Sequence, residues 1–205
     1  VLKNDHNAWE AFRMANRAMR LQRLQALQKR GRPADEPEWR PFQLAFMLSC
    51  LEGLADARHP DRGIADLLWF PTGGGKTLAG FLPSLIDLSQ TPASERPEGI
   101  HTLYISPLKA LAVDVARNLM APIEEMGLPI RVEARTGDTP SDRKARQRVK
   151  PPHILLTTPE SLSLLLSHED SVHMFATLKR VIVDEVHAFA NGKRGDLLSL
   201  SLARL

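Results

Sequence analysis

The sequence predicts an α/β domain built on a mostly parallel sheet with helices on both faces, and three observations carry that prediction. Five short apolar runs, "ADLLWF", "HTLYIS", "IRVEA", "HILLTT" and "RVIVDE", alternate with segments of helical spacing or with loops. That alternation is the pattern of a parallel sheet covered on both sides. The first run leads into a glycine-rich turn and an amphipathic helix, "FPTGGGKTLAGFLPSLIDL". The last run ends in two adjacent carboxylates, Asp184 and Glu185. Ligands of such sheets sit beyond the carboxyl ends of the strands. Those ends hold Gly73 to Thr77, Ser106, Thr157 to Glu160, and Asp184 to His187.

Upstream of the sheet, residues 5–30 lack Pro and Gly and are rich in Ala, Leu, Gln, Arg and Met, so a long basic helix is expected there, ended by Gly31 and Pro33. "GRPADEPEW" reads as a linker. From Phe42 to about Ala57 the apolar residues are dense enough for a buried helix, which "RHPDRG" breaks. Within that helix Cys50 reads as a packing residue. The division expected is a helical extension and linker over 1–39, then the α/β domain over 40–205.

A chain of 205 residues, 43% hydrophobic and 25% charged, is long enough to bury a core and close to globular averages. Its single cysteine permits no internal disulfide and suits a reducing compartment. No run of about 18 apolar residues is present, and "VLKNDHNAWE" is too polar for a signal peptide, so a cytoplasmic protein with no membrane partner is expected. The net charge of +3 is concentrated in "RMANRAMRLQRLQALQKRGR" and "RKARQRVK". Taken alone, either stretch reads first as a solvated helix face, with attraction of phosphates as the second reading.

The glycine-rich turn departs from the pattern G-x-x-x-x-G-K-[ST] at one place, because Phe70 stands where the first glycine belongs. That glycine serves the entry turn, which Pro71 and Thr72 can make instead. Thr72, Gly73, Gly74 and Gly75 can turn their N–H groups toward a phosphate chain at the start of the following helix. Lys76 would reach the terminal phosphates, and the Thr77 hydroxyl would bind Mg²⁺. In "RVIVDEVHAF", four residues of strand pattern deliver Asp184 and Glu185 to a strand end, where paired carboxylates call for a cation. Asp184 can hold Mg²⁺, usually through water, while Glu185 is placed to polarise an attacking water.

In order and spacing these motifs resemble the nucleoside-triphosphate motors of helicase superfamily two. "PTGGGKT" resembles the first helicase motif, and "DEVH" the second, of the DExH kind. "ISPLKALAVDVARNL" and "TTPESL" resemble two motifs that touch the nucleic-acid backbone. From about Thr77 onward the chain is similar to the large helicase-related (Lhr) proteins. Upstream, "AFRMANRAM", "WRPFQLAFMLSCLEGL" and "ADLLWFPTGGGKT" are more similar to the helicase component of DISARM anti-phage systems.

The resemblance implies a RecA-like P-loop domain that uses ATP and Mg²⁺ to move on nucleic acid, with DNA favoured over RNA as the track. It assigns Gln43 of "RPFQ" to the adenine edge and makes Lys76, Asp184 and Glu185 the catalytic set. Ser106, Pro107 and Lys109 would form one track contact, and Thr158, Pro159 and Glu160 the next, gripping phosphates without reading sequence. The same Ser-Pro and Thr-Pro pairs are also ordinary helix caps. His187 would link the nucleotide site to the track. Motors of this kind carry a second RecA-like domain that supplies an arginine finger, and no motif of it occurs in the sequence; weak ATP binding with little turnover is therefore expected of this chain. An RNA helicase domain, or a module that binds nucleotide and nucleic acid without cycling, are the alternatives.

Overall fold

The computed structural model describes residues 76–190 and 192–205, with the backbone alone at 76–79 and 122, and isolated positions between 6 and 60. The chain falls into two compact units, Val1–Glu95 with Ala121–Leu128, and Arg96–Met120 with Pro129–Leu205.

In the first unit, every described residue from His6 to Leu27 is helical, in line with the helix-forming composition of that stretch. Trp9 and Phe12 stack at 6.2 Å between centroids, and Arg13 pairs with Glu10 at 2.8 Å. Leu44, Ala45, Leu48, Ser49 and Gly53 are helical as well. The expectation that this second segment is buried fails at Leu48, which is 47% exposed. Ala45 and Ser49 are exposed beside it, so these described residues, three and four apart, form a solvent-facing stripe. Helix α1, Lys76–Gln90, buries Phe81, Leu82, Leu85, Ile86 and Leu88, the helical spacing legible in "GFLPSLIDL".

The second unit carries a four-stranded, wholly parallel sheet: β1 Thr102–Ile105, β2 Val132–Arg135, β3 Ile154–Thr157 and β4 Arg180–Val183, in the order β2-β3-β1-β4. Between them lie α2 Lys109–Glu125, α3 Ser141–Val149, α4 Pro159–Leu166 and α5 Ser171–Phe175; a 3-10 turn, Val186–Ala188, and α6 Lys193–Leu202 follow β4. Of the five expected strands, four appear here, and "ADLLWF" lies outside the described residues. β1 and β3 are buried along their whole length, which is why both read as unbroken apolar runs. β2 and β4 are partly exposed.

Leu103, Ile105 and Leu155 from the strands pack with Leu162, Leu165, Met174, Phe175, Phe189 and Leu198 in one cluster. Burial of that many large apolar side chains, at about 1.5–3 kcal/mol each, holds the sheet to α4, α5 and α6. Helix α3 is fixed differently, by polar contacts to β2. Buried Arg135 donates to the Lys144 carbonyl at 2.9 Å and to Gln147 Oε1 at 3.3 Å, while Gln147 donates to Glu133 Oε2 at 3.0 Å. Arg146 adds an ion pair to Glu133 at 2.6 Å, so part of the basic stretch "RKARQRVK" is tied down to the sheet. Asp142 in the first turn and Arg146 and Arg148 in the last match the helix dipole of α3.

Candidate functional site

Strand register sets the site. Arg135, Thr157, Ile105 and Val183 are mutual partners across β2, β3, β1 and β4, so all four strands end on one line. The next residues, Thr136, Thr158, Ser106 and Asp184, therefore form a row across the carboxyl edge. With neighbouring strands about 4.8 Å apart, that row spans about 14 Å. Two ladder bonds carry the order past the strands, Ser106 N–H to the Thr157 carbonyl at 3.0 Å and Asp184 N–H to the Ile105 carbonyl at 2.9 Å. Residues far apart in sequence and expected to carry chemistry are thus brought together by register.

At one end of the row the Asp184 carboxylate is held at both oxygens. The Glu185 N–H donates to Oδ1 at 2.9 Å, and the Tyr104 hydroxyl donates to Oδ2. Burial of Tyr104, reinforced by the hydrogen bond and the charge of Asp184, pushes its phenol well above the ordinary tyrosine value, so it remains the donor. Glu185 adopts a left-handed backbone, φ 49° and ψ 47°. For a residue other than glycine this conformation costs about 1–3 kcal/mol and clusters at functional sites. It turns the chain sharply from β4 into the 3-10 turn, where His187 Nδ1 lies 3.3 Å from Glu185 Oε2.

The middle of the row is made of caps. Ser106 is fully buried and accepts from the Leu108 N–H at 3.4 Å; Thr158 caps α4 by accepting from the Ser161 N–H at 3.5 Å, with Pro159 at the first helical position. Both hydroxyls are thus engaged locally, and what the two turns present outward is Leu108, Lys109 and Glu160, all exposed. Lys109 Nζ pairs with Asp138 Oδ1 at 2.8 Å. The Glu160 carboxylate meets Arg194, with Nε to Oε1 at 2.6 Å and Nη2 to Oε2 at 3.3 Å. Partial burial raises the Glu160 carboxyl, but hydrogen bonds from Arg194, the backbone and Thr158, with the Arg194 charge, outweigh it and hold the group below the ordinary glutamate value.

Beyond β2 the row borders a cleft of about 840 Å³ between α2, β2 and α3, lined by Lys109, Val113, Arg117, Val132, Asp138, Arg143 and Arg146 among others. Of its basic residues, Lys109, Arg117 and Arg146 are ion-paired with Asp138, Asp114 and Glu133.

Gln43, Thr72, Gly73, Gly74 and Gly75 lie outside the described residues, as do Phe70 and Cys50, and Lys76 and Thr77 are described only as the opening backbone of α1. Two residues of the site were not singled out in the sequence, Tyr104 and Arg194. Tyr104 reads there as one more residue of an apolar strand, and the only signal for a special role was a phenol in a run that ends at Ser106. Among the described residues no group of three side chains could enclose a metal ion. An oriented carboxylate such as Asp184 nevertheless fits Mg²⁺, which takes one or two protein carboxylates and fills its other positions with water and phosphate oxygens.

Residues 44–205 match the family model described as DEAD/DEAH box helicase. The chain is 46% identical over 154 residues to the ATP-dependent helicase Lhr-Core of Methanothermobacter thermautotrophicus, a match covering 70% of this chain and 18% of that protein. It is 38% identical over 141 residues to the DISARM protein DrmA of Bacillus paralicheniformis, covering 60% of this chain and 13% of the relative. Among solved structures, helicase Lhr of Mycobacterium smegmatis bound to ssDNA and AMP-PNP aligns with a TM-score of 0.61 at 40% identity, over 81% of this chain and 22% of that one.

Proposed function

Because the chain belongs to the DEAD/DEAH box helicase family, we propose that it is the first RecA-like motor domain of an ATP-driven DNA helicase or translocase. The observation that carries the reading is the shared register of the strand ends, which sets Asp184, Ser106 and Thr158 in one row. Nucleotide chemistry at one end of that row and backbone grip at the other would then share one rigid edge.

In this reading Gln43 selects adenine, Thr72 to Thr77 cradle the phosphates, and Lys76 reaches the terminal ones. Asp184 and Thr77 would hold Mg²⁺, whose role there is to neutralise charge on the transferred phosphoryl group. Glu185 takes the proton of the attacking water, and His187, within 3.3 Å of Glu185, reports the state of that carboxylate to the track side. Ser106 and Thr158 shape the turns, and Lys109 with the exposed first turns of α2 and α4 meets the phosphate backbone. DNA is the favoured track because the relative solved with a nucleic acid at 40% identity holds ssDNA. The chain spans about a fifth of such relatives, and in this reading a second RecA-like domain supplies the arginine finger. The described helices include none long and apolar enough to cross a membrane, which is compatible with work in the cytoplasm.

The test is ATP hydrolysis with and without single-stranded DNA. Turnover is expected to rise with DNA and to fall about a hundredfold in Glu185→Gln and Lys76→Ala, the scale of a lost general base or phosphate contact. Turnover unchanged by Glu185→Gln would sink the catalytic assignment, and single-stranded RNA displacing DNA in competition would make the track RNA.

A further inference from the structure

Arg194 occupies a place that local electrostatics disfavours. It is the second residue of α6, next to Lys193, where the helix dipole repels cations. What holds it there is distant in sequence. Its Nε and Nη2 grip the Glu160 carboxylate at 2.6 and 3.3 Å, and Nη2 donates to the Pro107 carbonyl at 2.8 Å. The guanidinium carbon lies 5.9 Å from the centre of the Phe189 ring. One planar fork thus joins the turn after β1 to the first turn of α4, and a lysine ammonium could not reproduce that set of directions. The base of the fork is equally constrained. A Cβ at Gly195 would stand 2.0 Å from the Phe189 carbonyl oxygen, so only glycine lets α6 start this close to the segment that leaves Glu185.

We propose that Arg194 is a positioning residue that clamps the two track-facing turns, 106–109 and 158–160, into one surface and ties that surface to the chain leaving Asp184 and Glu185. The proposal rests on the nucleic-acid motor reading above and gives Glu160 a definite part in it, as the carboxylate that aims Arg194 at Pro107. Both side chains are about half exposed, 45% and 49%. An ion pair so exposed adds little to stability, so its effect belongs in the shape of the surface and not in the fold.

The experiment uses the 205-residue chain and a fluorescent single-stranded DNA oligonucleotide, read by anisotropy, with a fluorescent ATP analogue titrated in parallel. Arg194→Lys keeps the charge and loses the fork. Glu160→Gln removes a negative charge beside the track, so a purely electrostatic role predicts tighter DNA binding, whereas the clamp predicts weaker binding. Each single variant is expected to lose about fivefold in DNA affinity, and the double variant no more than either, because both break the same contact. Affinity for the ATP analogue stays within about twofold of the parent, since the hydrogen bonds of Arg194 go to Glu160 and Pro107 on the two track-facing turns. Arg194→Lys binding DNA like the parent, Glu160→Gln binding it more tightly, or losses that multiply in the double variant would each overturn the clamp. A parent chain that binds the ATP analogue but no DNA would overturn the motor reading itself, an outcome distinct from all of these.

Discussion

At the amino ends of β1 and β3, His101 and His153 are buried and joined through the backbone; at the carboxyl ends of the same strands, Ser106 and Thr158 stand beside exposed Lys109 and Glu160. The His153 carbonyl accepts from the His101 and Thr102 N–H groups at 2.9 and 3.0 Å, and its Nδ1 accepts from the Arg131 N–H at 2.9 Å. The Ile100 N–H closes onto the Met174 carbonyl at 2.7 Å. This end is closed by backbone hydrogen bonds, and the residues that precede the four strands there, Arg131, His153, His101 and Lys179, include no carboxylate. The other end keeps a left-handed Glu185, a carboxylate at Asp184 and a half-exposed Arg194. Strand polarity separates the two tasks: chain continuity at the amino ends is satisfied by the sheet itself, while the loops that leave the carboxyl ends are free to carry chemistry.

The sharpest way to break that contrast is acid. Burial, then the charges of Arg131, Arg96 and His101, push the His153 imidazole down to about 4 from its ordinary 6.5. Below about pH 6.5 the unfolded chain takes up a proton that the folded chain refuses, so stability falls as pH drops, and the loss from this group ends near pH 4. The expected cost is about 2–3 kcal/mol over that window. It would be read as the denaturation midpoint of the parent against His153→Gln, which keeps an acceptor for Arg131 and does not titrate. The difference between the two curves separates His153 from carboxylates such as Glu160, which also lose stability in acid. Superimposable curves would mean that the amino end is not sealed as described.

A smaller effect sharpens the carboxyl end. Tyr104→Phe removes the hydroxyl that pins Asp184 and leaves the ring in its buried place. Stability should change by about 1 kcal/mol or less, while DNA-stimulated ATP turnover should fall several-fold. An equal loss in a variant chosen at the sealed end, such as His153→Gln, would erase the distinction between the two ends.

How much of this was legible from sequence follows the same divide. β1 and β3 could be read directly because both of their faces are buried, so every residue is apolar or has its hydroxyl hydrogen-bonded within the protein. "RVIVDE" reads alike, yet β4 is partly exposed, with Val181 at 40%. A run of apolar residues reports strand propensity and not which edges are covered. The start of α4 was visible in Thr158-Pro159-Glu160, because capping is a local matter. The partners of Arg194 were not, since they lie 34 and 87 residues away and depend on register. For the same reason the basic stretch before β3 could not be divided in advance. Arg143 and Arg146 both line the cleft, and Arg146 is also paired to Glu133 on the sheet.

The central claim is that nucleic acid meets the carboxyl ends of the strands and not the amino ends. It is tested most directly by backbone hydrogen exchange of the 205-residue chain with and without single-stranded DNA. Slower exchange at residues 106–109 and 158–161, with no change at 99–102 and 151–154, is the expected result. Protection at the amino ends, or none at either end while DNA is bound, would contradict it.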